Sequence, residues 1–590
     1  MCGVAGIIST DVAADQLRHR VRAMQDRLQH RGPDDQGLLE IGEAGVCLAH
    51  TRLSIIDLSA AGHQPMQDAS GRYSIVFNGE IYNYRELREQ LSSEGVTFQS
   101  HSDTEVIIKL YQHEGPGCVN KLRGMFAFFI WDAQSNSGFA ARDPLGIKPF
   151  YYCTQGNSFA FASELRALHA SGLVSNSTSA PGVYGYLRSG SVPEPHTLLE
   201  QAHQLPAGHW AEWKNQRLQI NSYHHIDFDK AEISMERAIS ITCNALIDSV
   251  KAHLVSDVPV GLFLSGGIDS TALLALASQY SDQPINTYSI AFEDPAWNEG
   301  DVARRVAEHF GANHTEWLLT AEIAQPLFEQ FLGSADQPSI DGFNTFCVAK
   351  LAHDNGEKVV LSGLGGDELF GGYKSFQTVP RWHALGLRLA WLTPLFRFLS
   401  SRPRLLPNGR WRRALDFLAQ PGNAYAAYRS LRSVFAESES TALMQSMQLV
   451  GNVDVPIEVS DASPDWVSKT ELSDYMRNQL LRDSDVMSMA WGLELRVPLV
   501  DARLLGAVAK IPADIRLARG KQLLLDAVPE IPDWVAQRPK QGFRFPFDQW
   551  FADAWSTLPG VPNTPHWIEL QPWYRRWSLV MLQHLRTQRS

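Results

Sequence analysis

The chain has 590 residues, well beyond the roughly 250–300 at which a single hydrophobic core stops growing, so we expect two or more domains. Hydrophobic residues make up 44% of the chain and charged residues 20%, the ordinary balance of a globular protein. The formal net charge is −12, which argues against a general nucleic-acid binder because such proteins carry basic stripes. We therefore expect no nucleic acid among the partners.

The cysteines predict a reducing compartment. None lies in a Cys-x-x-Cys pair or at a His/Cys spacing typical of metal sites: Cys2, Cys47, Cys118, Cys153, Cys243 and Cys347. Scattered cysteines of this kind argue against a disulfide framework. No basic stretch followed by an apolar one opens the chain, and no apolar run approaches the about 18 residues of a membrane span. We therefore expect a cytoplasmic protein without a membrane span.

The first third of the chain reads as short strands with a few helices. Strands are predicted at residues 3–8, 46–50, 73–77, 126–131 and 150–153, and a helix at 14–28. Residues 102–105 form a capping box that opens a second helix. This pattern predicts an α+β domain over residues 1–215. The polar stretch 214–230 marks its end, and a second domain is predicted over 230–590.

The second domain begins with strand, loop and helix in alternation. Strands at 258–264, 285–292 and 358–361 alternate with helices at 271–280 and 301–310, and the remainder is mostly helical. Such alternation predicts a parallel sheet with right-handed crossovers. In sheets of this kind, ligands bind outside the carboxyl ends of the strands. Both glycine-rich loops of this domain follow predicted strands.

Residues 374–413 stand out because they contain nine Lys or Arg and no Asp or Glu. Six large apolar residues are interleaved with these cations: Trp382, Leu385, Leu389, Trp391, Leu395 and Phe398. One interpretation is an amphipathic surface that faces a membrane or an anionic partner. The other, which we favour from sequence, is a solvated helical hairpin that covers the second domain.

Cys2 directly follows the initiator methionine and is a candidate nucleophile. Removing Met1 would leave a thiol and a free α-amine on one residue. An α-amine titrates near 8 and a thiol near 8.5, so the amine can accept the thiol proton directly or through a water. That would activate the thiol without a separate histidine. The alternative is a small buried residue at the start of a strand.

Two glycine-rich loops predict a phosphate site. Residues 265–270 (SGGIDS) follow a buried strand and open a helix, whose N-terminal amides attract anions. The loop lacks the Gly-Lys-Ser/Thr ending of a Walker A motif. Residues 362–368 (SGLGGDE) repeat the arrangement after another strand. Asp269 and Asp367 could together hold a Mg²⁺ ion that bridges to a pyrophosphate.

A third group of residues could bind the amino-acid end of a substrate such as glutamine. The Asn78 side-chain amide and the Gly79 N–H would form an oxyanion hole for an attack by Cys2. Arg52 could clamp an α-carboxylate, and Glu80 or Asp103 could hold an α-ammonium. Taken singly, each has a commoner structural use, and Asn-Gly is also a frequent hairpin turn.

In this order, these residues resemble the glutamine-dependent asparagine synthetase family over nearly the whole chain. The first half carries MCGVAGI (1–7), HRGPD (30–34), RLSIID (52–57), FNGEIYN (77–83), SDTE (102–105) and RDPLGIKPFYY (142–152). The second half carries LSGGIDS (264–270), LSGLGGDELFGGY (361–373) and MAWGLELRVPLVD (489–501). The resemblance implies a class II glutamine amidotransferase domain of the N-terminal-nucleophile hydrolase fold, with sandwiched sheets. It also implies an α/β synthetase domain of the PP-loop ATP-pyrophosphatase type with a helical extension.

The resemblance also implies a mechanism with two active sites. Cys2 attacks the glutamine amide, and the released ammonia passes through the protein to an acyl-adenylate formed from a carboxylate and MgATP. The implied glutamine-binding residues are Arg52, Leu53, Ile56, Asn78, Gly79, Glu80 and Asp103. The implied ATP-binding residues are Leu264, Ser265, Gly266, Gly267, Asp269, Ser270, Ile290, Ser362 and Gly363. Asp269 and Asp367 are implied to hold Mg²⁺, and Lys540 is matched to a late lysine that stabilises the transition state of adenylation.

One position departs from the family. Well-known asparagine synthetases have a glutamate directly after the Ser-Gly of the second loop, and this chain has Leu364. The leading interpretation is a ligase that makes asparagine from aspartate, glutamine and ATP. The alternative is the same chemistry on another carboxylate, such as a sugar acid or a natural-product or peptide intermediate.

Two further classes of protein are less consistent with the sequence than these two ligases. The SGGIDS loop argues against an amidotransferase joined to a sugar-phosphate or phosphoribosyl partner, which needs no ATP-pyrophosphatase site. A non-catalytic sensor would be expected to lack Cys2 or the acidic loop residues. The sequence leaves a homodimer open.

Overall fold

Two antiparallel six-stranded sheets form the core of the first domain. The structure is a computed structural model that describes residues 2–228, 231–294, 297–406, 408–449, 458–539, 545–552 and 564–588. Within these residues, the sheets have the strand orders β10-β8-β9-β1-β3-β2 and β12-β11-β7-β6-β5-β4. The strands are β1 (Gly3–Ser9), β2 (Asp35–Ile41), β3 (Val46–Arg52), β4 (Met66–Gln67), β5 (Tyr73–Ile81), β6 (Gly124–Asp132), β7 (Ser137–Arg142), β8 (Tyr151–Gln155), β9 (Ser158–Ala162), β10 (His203–Gln204), β11 (His209–Lys214) and β12 (Arg217–Ser222). The second sheet therefore continues past residue 215.

The two sheets stack face to face because their strands are apolar on both sides. Along β6, Phe129 packs between the sheets while Phe128 faces the other way, as the two-residue period of a strand requires. Helices cover both outer faces and give four layers. These helices and their neighbours are α1 (Ala14–Asp26), α2 (Tyr84–Ser93), α3 (Asp103–Glu114), α4 (Leu165–Ala170) and α5 (Ala180–Ser189). The predicted α+β domain with sandwiched sheets is confirmed.

The capping box predicted at the start of α3 forms only in part. Ser102 caps the helix by accepting a hydrogen bond from the Thr104 N–H at 3.2 Å. Glu105 does not return to the backbone of Ser102. Its carboxylate instead accepts from the backbone N–H groups of Gln99 and Ser100, at 2.9 and 2.7 Å. The Glu105 carboxylate therefore binds the loop before α3, and not the N-terminal backbone of the helix as the sequence pattern predicted.

A five-stranded parallel sheet forms the centre of the second domain, as predicted. Its order within the described residues is β15-β14-β13-β16-β17, with every pair parallel. The strands are β13 (Val260–Phe263), β14 (Asn286–Ala291), β15 (Asn313–Leu318), β16 (Val359–Leu361) and β17 (Glu494–Arg496). The first three predicted strands of this domain are confirmed. β15 and β17 were not predicted, because both are edge strands with polar sequences.

Helices surround this sheet and form a large extension after β16. They are α6 (Met235–His253), α7 (Ile268–Tyr280), α8 (Gly300–His309), α9 (Ala321–Ser334), α10 (Phe343–Asp354), α11 (Gly366–Phe370), α12 (Ser375–Arg388), α13 (Thr393–Ser400), α14 (Gly409–Leu418), α15 (Ala424–Arg432), α16 (Glu437–Ser446), α17 (Pro464–Thr470), α18 (Arg482–Met489), α19 (Ala502–Val508), α20 (Ala513–Arg516), α21 (Gln522–Ala527), α22 (Asp533–Ala536), α23 (Phe547–Ala552) and α24 (Trp573–Thr587). A π-helix, Glu471–Leu481, links α17 to α18. Across the described ranges, no helix combines the length and apolar character needed to cross a membrane.

Buried ion pairs join the two domains. Arg31, from the HRGPD motif, contacts Asp485 on α18 at 2.8 Å, and both side chains are almost fully buried. Arg123 in the first domain contacts Asp501 of the second at 2.9 Å. Removing one partner of such a pair would leave an uncompensated buried charge, which is strongly destabilising. These contacts give the HRGPD and MAWGLELRVPLVD motifs a role at the domain interface.

Candidate active sites

Cys2 lies at the start of β1, in the middle of the first sheet. β1 pairs with β3 on one side and with β9 on the other. Cys2 directly precedes it and is only 8% exposed. The Cys2 backbone nitrogen donates a hydrogen bond to Asn78 Oδ1 at 3.0 Å. When Met1 is removed, this nitrogen becomes the α-amine predicted to accept the thiol proton.

Asn78 brings an available hydrogen-bond donor to the vicinity of Cys2. It lies within β5 of the facing sheet rather than in a hairpin turn. Because its Oδ1 accepts from Cys2, its Nδ2 is the donor, and this buried atom has no hydrogen-bond partner among the described residues. A buried donor without an acceptor is costly. An oxyanion formed by attack of the thiol on an amide would supply the missing acceptor.

Gly79 allows the backbone to pass close to the neighbouring strand. Its φ is +151°, in the range that favours glycine. A Cβ at this position would lie 2.0 Å from the Met125 carbonyl oxygen, so no side chain fits. Packing alone therefore requires glycine at position 79. Any contribution of the Gly79 N–H to an oxyanion hole would be an additional reason for glycine there.

The Cys2 thiol is protonated more readily than a free cysteine. Burial raises its pKa, while a hydrogen bond from the Leu53 backbone and the charge of Arg52 act in the opposite direction. A thiol with a raised pKa needs a nearby base to become a nucleophile. The hydrogen bond from Leu53 also brings one of the predicted glutamine-binding residues directly to the sulfur.

Arg52 is buried beside this thiol, and its guanidinium donates hydrogen bonds to backbone carbonyls of the loop that follows it. Nη1 donates to the Ser59 carbonyl at 3.0 Å, and Nη2 donates to the carbonyls of Ile56, at 3.4 Å, and Asp57. This binding shapes the loop that contains Leu53 and Ile56. Clamping of a substrate carboxylate by Arg52 stays a prediction.

Glu80 and Asp103 belong to a buried charged cluster that includes residues of the second domain. Arg496 Nη2 lies 3.8 Å from Glu80 Oε2. Burial, reinforced by the charges of Glu494 and Asp103, raises the pKa of Glu80. Burial also raises the pKa of Asp103 to about 6. A cationic ligand would favour the ionised form of both carboxyls, which is consistent with the predicted recognition of an α-ammonium.

The two glycine loops of the second domain lie side by side. β13 and β16 are adjacent parallel strands, so the loops that follow them start from the same edge of the sheet. A Cβ on Gly363 would approach the Asp269 Cβ to 3.1 Å, and a Cβ on Gly366 would approach Asp269 Oδ1 to 2.4 Å. Glycine at both positions lets the second loop approach Asp269 closely.

Lys521 joins the two acidic residues of these loops. Its Nζ lies 2.5 Å from Asp269 Oδ2 and 2.5 Å from Asp367 Oδ1. Although burial alone would lower it, the two carboxylates raise the pKa of Lys521, so the ammonium is charged at neutral pH. The structure therefore brings both predicted magnesium ligands to one point and adds a cation there.

A cavity of about 1250 Å³ adjoins these loops. Every residue predicted to contact ATP lines it: Leu264, Ser265, Gly266, Gly267, Asp269, Ser270, Ile290, Ser362 and Gly363. The helical extension contributes Tyr425 and Arg429 of α15 and Asp474 and Tyr475 of the π-helix, and the first domain contributes Arg188. The volume exceeds the about 300–1,000 Å³ typical of a pocket for one small molecule. The cavity has room for a nucleotide and a second substrate.

Sequence comparisons agree with this arrangement of two sites. Residues 1–224 match the family of glutamine amidotransferase domains, and residues 243–558 match the asparagine synthase family. Glutamine-hydrolyzing asparagine synthetase 1 of Bacillus subtilis (strain 168) is 33% identical over 577 residues, which cover 93% of this chain and 88% of that protein. The chain belongs to the glutamine-hydrolysing asparagine synthetase family. This confirms the predicted class, an ATP-dependent ligase that uses glutamine.

Other relatives carry related and different names. Glutamine-hydrolyzing asparagine synthetase 3 of the same Bacillus strain is 30% identical and covers 92% of this chain and 87% of that protein. Amidase chyE of Penicillium rubens is 33% identical over 409 residues, which cover 64% of this chain and 60% of that protein. Similarity over part of this chain therefore extends to a protein that is not named an asparagine synthetase.

Two site residues of this asparagine synthetase family member were missed from the sequence. Lys521 lies in a polar stretch and shows no periodic or glycine-loop signal, although a Gly-Lys pair precedes α21. Arg538 lines the cavity and donates to the Gly266 carbonyl at 3.4 Å. Lys540, predicted as the late lysine of the family, lies outside the described residues, so its assignment stays a prediction.

Replacing Asn78 with alanine should lower the rate of glutamine hydrolysis. The change removes a donor placed for the oxyanion, and loss of one such donor costs on the order of 100- to 1,000-fold in kcat. Steady-state glutaminase kinetics would measure it. Synthesis driven by added ammonium salt should stay within about twofold of wild type. An unchanged glutaminase kcat would rule out Asn78 as an oxyanion donor.

Proposed function

We propose that this chain transfers the amide nitrogen of glutamine to aspartate and that ATP is cleaved to AMP and pyrophosphate in the process. The observation that carries the proposal is the convergence of Asp269, Asp367 and Lys521 at the edge of a nucleotide-sized cavity. The Cys2 site in the same chain supplies the nitrogen. Family membership supports the pairing of the two reactions.

In the first domain, the Cys2 thiol gives its proton to its own α-amine and attacks the glutamine side-chain carbonyl. The Asn78 amide and the Gly79 N–H stabilise the oxyanion. Ammonia leaves, and water then hydrolyses the thioester to glutamate. Arg52, Leu53, Ile56, Glu80 and Asp103 surround the amino-acid end of the substrate. The interactions of Arg52, Leu53 and Glu80 with Cys2 support this binding mode.

In the second domain, the acceptor carboxylate attacks the α-phosphorus of ATP and displaces pyrophosphate. The resulting acyl-adenylate reacts with ammonia, and AMP leaves. The Lys521 ammonium is placed to balance the negative charge that develops during adenylation. Arg538 is a second cation on the cavity wall, beside the first glycine loop.

The residues present fit a magnesium ion. Mg²⁺ usually takes one or two protein carboxylates together with substrate phosphates, and Asp269 and Asp367 would supply those carboxylates. Among the described residues there is no group of three or more His, Cys, Asp or Glu side chains suited to a metal. A site completed by ATP itself is consistent with that finding. The ion would neutralise the phosphate charge.

A different carboxylate acceptor is the second candidate, and Leu364 favours it. This half-buried side chain lines the cavity where well-known family members carry a glutamate. Leucine can neither transfer a proton nor hold a polar acceptor by hydrogen bonding. The cavity volume and the relative named amidase chyE are consistent with a larger, less polar acid.

Product analysis distinguishes the two acceptors. The purified full-length protein, with glutamine and MgATP, should release AMP at least tenfold faster when aspartate is added, and asparagine should form. Weak stimulation by aspartate together with strong stimulation by a larger acid would replace the first candidate with the second. Leu364→Glu should then depress turnover of the larger acid, because it places a charge in an apolar contact. Leu364→Met, which conserves volume, is the matched control.

We propose a cytoplasmic location as well. All six cysteines, each within the described residues, are free thiols, which is consistent with a reducing compartment. Glutamine, ATP and the acceptor acid are the proposed partners. A homodimer is compatible with this function, and the reaction scheme does not require one.

A further inference from the structure

The basic segment around α12 to α14 exposes large apolar side chains. It forms two helices and the start of a third, rather than a two-helix hairpin. Thirteen large apolar side chains are strongly exposed within the described residues, and seven of them lie in this short stretch: Leu385, Leu387, Trp391, Leu395, Phe398, Leu405 and Trp411. Trp391 is the most exposed, at 77%. Such a concentration marks an interaction surface.

Helix α13 presents this apolar character outward. Neither α13 nor the 3-10 turns Ala390–Leu392 and Pro403–Leu405, all of which the structure describes, contain a buried residue. Leu395 and Phe398 are three residues apart in α13 and share one face, and Trp391 lies in the 3-10 turn that directly precedes the helix. A surface helix normally turns that face to the core. Here both helices hold the segment in place by other contacts: Trp382 of α12 stacks on Phe417 of α14, and Arg397 Nε of α13 donates to the Ala419 carbonyl at 3.2 Å.

Every Asp, Glu, Lys or Arg position of the same stretch is a Lys or Arg. Arg388, Arg397, Arg402, Arg404 and Arg410 are exposed, and within the described chain none forms an ion pair. No acidic residue occurs in residues 374–413, although the whole chain has a net charge of −12. The Arg402 guanidinium lies 3.8 Å from the centre of the Phe398 ring, so cations and apolar groups are interleaved.

We propose that these exposed apolar and basic side chains of residues 385–406 and 408–411, the basic–apolar surface, bind the face of an anionic lipid bilayer. Interfacial helices combine a Lys/Arg-rich polar side with Trp, Phe and Leu on the other. Tryptophan concentrates at the membrane–water interface, and anionic headgroups attract clustered cations. The protein would lie on the membrane and not span it.

Charge complementarity favours a bilayer over a second copy of the chain. A symmetric dimer through this surface would bring each basic patch against its own equivalent. Like charges at that distance would repel, whereas acidic phospholipids would neutralise them. The surface lies outside the residues that form either active site, so this inference does not depend on the identity of the acceptor.

Vesicle sedimentation tests the proposal with the full-length protein. The wild type should bind vesicles of phosphatidylcholine with phosphatidylglycerol, bind far less to phosphatidylcholine alone, and dissociate as salt is raised. The double variant Trp391→Ser/Phe398→Ser should bind at least about tenfold more weakly, because the apolar contacts are lost. Arg402→Ser/Arg404→Ser should also weaken binding by about tenfold or more.

Matched controls come from exposed residues elsewhere. Leu318→Ser/Ile323→Ser removes two exposed apolar side chains, and Arg217→Ser/Arg237→Ser removes two exposed cations. Both should bind vesicles like the wild type, and all variants should keep glutaminase activity, which reports folding. Failure of the wild type to bind acidic vesicles at low salt would overturn the proposal. So would a change of oligomeric state in the surface variants without a change in vesicle binding, because a second copy would then be the partner.

Discussion

Cys2→Ala should abolish glutamine hydrolysis and leave ammonia-driven synthesis intact. The change removes the sulfur that lies against the Leu53 backbone while retaining the hydrogen bond from the Cys2 nitrogen to Asn78. Loss of a covalent nucleophile typically lowers kcat by 1,000-fold or more. The activity lost should be glutamate formation. Release of AMP with ammonium salt as nitrogen source should continue, because its residues lie around a different sheet.

Two controls make this result specific. Cys243→Ala changes a half-buried thiol on α6 and should preserve both activities. An N-terminal tag that is not removed should reproduce the effect of Cys2→Ala, because it converts the α-amine into an amide that cannot accept a proton. Glutaminase activity near the wild-type level in either protein would contradict the assignment of Cys2 and its amine as nucleophile and base.

Much of each site could be predicted because its residues follow local rules. Cys2 is informative through its position in the chain, and the glycine loops through their place after strands. The parallel order of β13 and β16 then brings Asp269 and Asp367 together, as the rule for ligand binding at strand ends anticipates. Asn78 could be proposed only as a partner of Cys2, since its sequence context equally predicts a turn.

Other residues could not be found because their roles depend on distant contacts. Arg496 is the clearest case: its carbonyl accepts the Ser362 N–H at 2.9 Å, and its side chain reaches Glu80 in the other domain. No local pattern predicts that one edge-strand residue touches both sites. The exposed face of α13 shows a similar limit. The spacing of its apolar residues predicts a helix, but the same spacing usually indicates a face that is buried.

Lys521→Met should eliminate AMP formation while glutaminase activity persists. The substitution keeps an unbranched side chain of similar length but removes the charge that lies 2.5 Å from both Asp269 and Asp367. Two consequences follow. The adenylation step loses a cation placed for developing negative charge, which costs on the order of 100- to 1,000-fold. The two carboxylates also lose their counter-charge and repel each other, which should lower the melting temperature when no nucleotide is bound.

The matched substitutions separate these two effects. Lys510→Met changes an exposed lysine and should leave both AMP release and melting temperature unchanged. Asp269→Asn should also abolish AMP release, because it would remove one carboxylate of the proposed magnesium site. Combined with Lys521→Met, it should restore part of the lost thermal stability, since one of the two repelling charges is gone, without restoring activity. If Lys521→Met releases AMP at the wild-type rate, Lys521 is a structural counter-ion alone. Another cation must then stabilise adenylation, and Arg538, which donates to the Gly266 carbonyl, is a candidate.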